Sequence, residues 1–295
     1  MTRQLVFIHG RAQEHKDAVA LKAEWIGAWA AGLRKSNLMI PIAESDIRFP
    51  YYGQTLYDLC EGLENQQIAE VIVRGDNADA AHKEFMRSVL EEVRQAQGIS
   101  EAQLREVAGS DVVERGPLNW EWLQGIFRAI DRHVPGSSGA SIAIATNDVY
   151  QYLRNPGIRD TLEEGVRMAM SPNMPTVVVS HSLGTVVAYN LLRREGVSQH
   201  WNVPLLVTLG SPLAITAIRQ SLRPIKHPEC AAKWFNAMDK HDVVALYPLS
   251  KAHFDIDPEI ENQTDVNNHT ANRHGIAGYL DDKEVAKRIY DALTV

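Results

Sequence analysis

Cysteine is nearly missing from this chain. Cys60 and Cys230 are the only two among 295 residues. They form no disulfide framework and no metal-ligand spacing, and they suit a reducing compartment. Basic blocks are missing as well. Lys and Arg number 30 against 37 Asp and Glu, a formal net charge of −7. That balance argues against a nucleic-acid surface and against electrostatic attraction to anionic membranes. No apolar run reaches the roughly 18 residues that a membrane span needs. Residues 1–4 lead directly into Leu5-Val6-Phe7-Ile8, without the basic region, apolar stretch or cleavage site of an export signal. The expectation is a cytoplasmic protein with no transmembrane segment. Internal repeats and low-complexity tracts are also lacking.

What is present is an ordinary core-forming composition, 45% apolar and 23% charged. Short apolar runs at 5–8, 176–180, 204–209 and 233–237 alternate with longer segments of helical period. Leu21, Trp25, Ala28 and Trp29 repeat at helical spacing. So do Val186, Val187, Asn190 and Leu191, in a segment that stops at Gly196. Val285, Ala286, Ile289 and Leu293 form a last stripe. Strands that read as continuous apolar runs are buried on both faces. The alternation therefore predicts an α/β fold, a mostly parallel central sheet with helices on both faces. Residues 64–146 interrupt this rhythm. They carry their own stripes, Met86, Val89, Leu90 and Val93, then Leu123, Phe127, Ile130 and Val134. Ser100 with Gln103 has the form of a capping box, and residues 135–139 read Pro-Gly-Ser-Ser-Gly, a turn or flexible loop. The expected organisation is a core of 1–63 and 147–295 with an inserted helical cap at 64–146.

The segment richest in chemistry is 176–191, TVVVSHSLGTVVAYNL. An apolar strand runs into Ser180-His181-Ser182-Leu183-Gly184, and a helix follows. A serine at so sharp a strand-to-helix turn is held in a strained backbone with its hydroxyl projecting. The free N–H groups of the helix start favour developing negative charge. Ser180 and Ser182 both offer hydroxyls. Only Ser182 has small residues two positions before and after it, Ser180 and Gly184, whereas Ser180 falls within the strand. The plainer reading is an apolar strand and helix joined by a serine turn.

This segment resembles the nucleophile elbow of the α/β-hydrolase superfamily, and its S-H-S-L-G form is similar to bacterial lipases and esterases. Ser180 stands where the usual G-x-S-x-G has its first glycine. Leu5-Val6-Phe7-Ile8-His9-Gly10-Arg11 resembles the family's earlier strand ending in His-Gly. The resemblance implies an oxyanion hole made by the backbone N–H of Leu183 and of Arg11, with Ala12 the alternative to Arg11. His9 itself reads as a structural histidine at a strand end. Residues 207–213 resemble the strand and turn after the elbow helix. Trp234-Phe235-Asn236 resembles the next strand, whose following loop holds the acid of the triad. Asp239 and Asp242 both qualify, and Asp242 is preferred because Asp-Val-Val-Ala is similar to the family's Asp-Pro-Val. For the base, His269 and His274 are candidates. His274 is preferred because it begins His-Gly-Ile-Ala-Gly-Tyr-Leu before a final helix, like the family's last loop. His253 is expected at a strand end. Residues 148–153 are also similar to lipase-like proteins, with Tyr152 and Leu153 read as core.

The resemblance implies an α/β-hydrolase fold and an esterase or lipase-like serine hydrolase that cleaves a small-molecule or lipid acyl ester. Ser182 would be the nucleophile, His274 the base and Asp242 the orienting acid. That chemistry needs no metal or organic cofactor. Trp120, Trp122 and Phe127 are candidates for an apolar acyl pocket, or simply the cap's own core. An acyltransferase, a thioesterase, or a binding module that kept the scaffold are the alternative readings.

Overall fold

The computed structural model describes residues 2–10, 17–52, 79–114 and 120–294. Its centre is a six-stranded sheet of β1 (Gln4–Ile8), β2 (Ile47–Arg48), β3 (Thr176–His181), β4 (Leu206–Leu209), β5 (Trp234–Ala237) and β6 (Glu261–Gln263). The strand order is β2-β1-β3-β4-β5-β6, and every neighbouring pair is parallel. Parallel strands need crossover connections, so helices cover both faces.

Alternation along each strand divides the core in two. Leu5, Phe7, Val177, Val179, Val207 and Leu209 face one way. They pack against α1 (Ala18–Arg34) and the last helix, numbered α11 below (Lys283–Thr294). Helix α1 starts at Asp17, whose side chain accepts from the N–H groups of Val19 and Ala20. Trp25 meets Phe7 edge-on at 5.3 Å between ring centroids. Val6, Ile8, Val178 and Leu206 face the other way, into the larger apolar cluster. That cluster gathers α2 (Ala80–Ala96), α3 (Glu101–Ala108), α4 (Ser110–Glu114), α5 (Trp120–His133), α6 (Gly139–Arg154), α7 (Pro156–Ala169), α8 (Leu183–Glu195) and α9 (Thr216–Ser221). A short α10 (Ile276–Leu280) precedes α11.

The helices expected within residues 64–146 are present where they are described. The two stripes of 86–93 and 123–134 are buried, and Ser100 and Gln103 form a reciprocal capping box. Residues 64–78 and 115–119 of the stretch lie outside the described residues. Helix α6 runs without a break through residues 146 and 147, where the sequence reading divides cap from core. Tyr152 is fully buried on that helix, and Leu153 packs partly buried beside it, as expected of core residues. Among the described residues, no helix is long and apolar enough to cross a membrane.

The chain direction across the sheet reverses at β1. From β1 it crosses to β2 on one side, then returns to β3 on the other. Connections leaving the carboxyl ends of β1 and β3 therefore diverge, toward α1 and α8 on opposite faces, the switch point at which open parallel sheets form a crevice. His181, the last residue of β3, and Gly10, just past β1, stand at that crevice.

Candidate active site

Ser182 joins β3 to α8. Its φ is 54° and its ψ −127°, a backbone state that a residue with a side chain rarely adopts. Holding it costs on the order of 1–3 kcal/mol, supplied by the packing around it. Ser182 is the N-cap residue of α8, yet its side chain makes no capping bond. The hydroxyl is thus left for another partner. The N–H of Leu183, at the first helical position, has no intrahelical acceptor.

Two glycines make the turn possible. A Cβ at Gly184 would lie 2.3 Å from the Ile8 carbonyl oxygen, so only glycine lets the helix start pass the end of β1. A Cβ at Gly10 would lie 2.8 Å from Ser182 Cβ. The chain leaving β1 thus runs directly over the serine.

The Ser182 hydroxyl lies 2.9 Å from Nε2 of His274. Nδ1 of the same ring lies 2.7 Å from Oδ2 of Asp242. With Nδ1–H donating to the carboxylate, Nε2 is left to accept from the hydroxyl. Ser182 is 7% exposed and Asp242 1% exposed, while the His274 side chain keeps 12% of its surface. Oδ1 of Asp242 accepts from the N–H groups of Val244 at 2.9 Å and Ala245 at 3.3 Å. Tyr279 donates its hydroxyl to Oδ2 at 2.6 Å. Burial, and then the Asp242 charge, push the Tyr279 phenol far above its ordinary value, so it stays a donor.

The competing candidates sit elsewhere. Ser180 donates its hydroxyl to the Val207 carbonyl at 2.9 Å inside the sheet. Asp239 accepts from His241 and from the N–H of Asn268, with an Arg273 nitrogen 3.6 Å away. It ties the loop carrying His274 to the loop after β5, and does not meet the His274 ring. His269 is largely exposed, with Nδ1 3.7 Å from Asp281. His253 lies in a turn, not at a strand end, stacked on Tyr247 with centroids 4.2 Å apart. The His253 N–H donates to the Ser250 carbonyl at 2.9 Å and closes that turn, a backbone bond that sequence periodicity does not encode.

His9 is fully buried, with its ring stacked on Tyr52 and on Phe49. Its Nε2 accepts from the N–H of Tyr52 at 3.3 Å, so the proton is on Nδ1, which donates to the Gly10 carbonyl at 2.6 Å. Tyr52 returns a hydroxyl bond to the His9 carbonyl. Burial pushes the His9 pKa down to about 4. This is the structural histidine expected at the strand end. Its work is to fix the backbone of Gly10. Arg11 and Ala12, the two candidates for the second oxyanion donor, lie outside the described residues.

Of the three aromatics proposed for a pocket, Trp122 and Phe127 are buried in the large cluster, while Trp120 packs partly buried against it beneath Lys83. The segment 135–141 reaches the His274 loop. Ser141 accepts from the Asn272 amide at 3.1 Å, and a Cβ on Gly136 would meet the Arg273 side chain at 3.2 Å.

Sequence reasoning did not assign His181 or Tyr279. Tyr279 was visible as the tyrosine shortly after His274, whereas nothing local marks His181 as a partner of a loop 93 residues away. Comparison with models of known protein families, with curated proteins and with solved structures found no match.

Proposed function

We propose that this protein is a serine hydrolase of the α/β-hydrolase kind that cleaves carboxylic esters through an acyl-enzyme. The observation that carries this reading is the hydrogen-bonded chain Ser182–His274–Asp242, built on a strained strand-to-helix turn in the crevice of a parallel sheet. A nucleophile hydrogen-bonded to a base that is itself oriented by a buried acid is the geometry that acyl transfer requires. A binding module has no use for a strained serine whose hydroxyl is aligned on a buried His–Asp pair.

In the first step, the Ser182 oxygen attacks the ester carbonyl while its proton passes to Nε2 of His274. Asp242 stabilises the imidazolium and keeps the ring in the tautomer the step requires. The carbonyl oxygen gathers negative charge and turns toward the N–H of Leu183, with Arg11 the preferred candidate for the second donor and Ala12 the alternative. Collapse breaks the bond to the leaving alcohol, which takes the proton from His274. In the second step, water gives its proton to His274 and adds to the acyl carbon. Ser182 then leaves and recovers its proton.

The preference for a carboxylic ester rests on the lipase-like form of the elbow, Ser-His-Ser-Leu-Gly. The helices of the inserted stretch, whose 135–141 segment touches the His274 loop, would border the acyl group, with Trp120 the candidate contact. The test is labelling with a fluorophosphonate followed by peptide mapping, alongside p-nitrophenyl esters of graded chain length, a thioester and a phospholipid. Label on Ser182 and turnover of one ester series support the reading. A protein that takes no label at Ser182 and turns over none of them is not this enzyme. Transfer of the acyl group to added alcohol in preference to water would make it an acyltransferase.

A further inference from the structure

One side chain beside the nucleophile has no part in the mechanism above. His181 closes β3, immediately before Ser182, and its ring turns toward the loop that carries His274. Its Nε2 lies 2.7 Å from the His274 carbonyl oxygen. A carbonyl only accepts, so His181 donates from Nε2 and has no free nitrogen there to act as a base. The two imidazole centroids are 4.7 Å apart, with Trp25 and Tyr279 packed on other sides of the His181 ring. Burial, reinforced by His274 nearby, pushes the His181 pKa down to about 3. It is therefore a neutral donor at neutral pH.

We propose that His181 is a positioning residue that holds the base in place while Ser182 carries the acyl group. This rests on the reading of Ser182 as nucleophile. In the resting protein, the His274 ring is held by the Ser182 hydroxyl on one nitrogen and by Asp242 on the other. Acylation removes the first of these, because the serine oxygen has lost its proton and become an ester oxygen. His274 must nonetheless stay in register to take a proton from water. Among the described residues, what remains is Asp242 on Nδ1 and two backbone bonds. The His274 N–H donates to Asn272 Oδ1 at 3.2 Å, and the carbonyl accepts from His181. Of these anchors, only His181 grows from the residue next to the acylated serine. Its bond ties the backbone of the base to the backbone beside the acylated serine. Its loss therefore slows deacylation more than acylation.

Stopped-flow hydrolysis of a p-nitrophenyl ester by the full chain separates the two steps, together with the rate of fluorophosphonate labelling. In H181F the donor is gone. The expected result is a burst of p-nitrophenol approaching one per protein, an acyl adduct on Ser182 by intact mass, and a steady rate about tenfold or more below wild type. Labelling should slow by less than about threefold. Gln places an amide nitrogen where Nε2 stands, so H181Q should lose the burst and recover most of the steady rate. Should H181F fail to fold by circular dichroism, H181N takes its place, being polar but too short to reach the carbonyl. Equal slowing of both steps, no slowing of either, or no rescue by H181Q overturns the proposal. A wild-type protein without label on Ser182 instead removes the reading on which it rests.

Discussion

Tyr279 donates its hydroxyl to Oδ2 of Asp242 at 2.6 Å, the same oxygen that His274 Nδ1 meets at 2.7 Å. Two backbone N–H groups occupy Oδ1, so four donors converge on one buried carboxylate. The Tyr279 oxygen also accepts from the N–H of Asp239 at 3.3 Å. Tyr279→Phe removes the bond to the carboxylate and leaves that N–H without its acceptor. The expected cost is about 1.5–3 kcal/mol, the range for a hydrogen bond to a charged group. Urea unfolding measures it. Ester turnover should fall as well, because the carboxylate that orients His274 is held less firmly.

The two serines of the turn should separate cleanly. Ser182→Ala should abolish phosphonate labelling and lower turnover by a factor on the order of 10⁴ or more. Ser180→Ala should still be labelled, since its hydroxyl only donates to the Val207 carbonyl within the sheet. Labelling kept in the first variant and lost in the second would reverse the assignment.

Asp242 and Asp239 provide a second contrast. Asp242→Asn presents an amide to His274 Nδ1 and favours the wrong tautomer, so turnover should drop by about 10⁴ with modest change in substrate KM. Asp239→Asn weakens the bonds to His241 and Asn268 that shape the loop. Its main expected effect is a lower unfolding midpoint. A larger loss of turnover in Asp239→Asn than in Asp242→Asn would mean that the acids are exchanged.

His9 and His181 predict acid lability. Burial lowers their pKa values from 6.5 to about 4 and about 3 in the folded chain. Between those values and 6.5 the unfolded chain binds more protons than the folded one. Stability therefore rises with pH through that window and is fully present above it. At pH 4.5 each histidine removes on the order of 2 kcal/mol. Thermal unfolding between pH 4.5 and 7 should show the slope, and H181Q should roughly halve it, leaving the part that belongs to His9. A midpoint that is flat over this range contradicts the burial of both rings.

The aromatic residues of α5 differ in what they should do. Trp122→Ala empties a buried site and should cost about 3–5 kcal/mol. Trp120→Ala, at a partly buried position, should cost less. It is the variant expected to change the preference among p-nitrophenyl chain lengths. An unchanged preference would leave Trp120 a packing residue only.

Four strands were legible because burial on both faces leaves a mark that one segment carries alone. The runs ending in Ile8, Ser180, Leu209 and Ala237 coincide with β1, β3, β4 and β5 to within a residue or two at either end. The edge strands β2, of two residues, and β6, Glu-Asn-Gln, were not read. They exist through pairing with a neighbour, and neither has an apolar run of its own. The stripes of α2, α5 and α8 and the Ser100 cap were likewise local signals, set by the helical period and by side chain-to-backbone reach.

Sequence alone determined the small set of groups able to meet Ser182, along with the steric need for Gly184 beside it. It left Asp239 and Asp242 as alternatives, because three residues of loop can turn either carboxylate inward. Only the tertiary structure decided that Asp242 meets a ring 32 residues on, and that Asp239 instead pins Asn268. Only it placed Tyr279 on the Asp242 oxygen, His181 under the His274 carbonyl and His9 beneath Gly10. The physical reason is the range of each interaction. Periodicity, caps and strained turns are written in neighbouring residues. A hydrogen bond across 92 residues is settled by how the sheet brings the ends of its strands together.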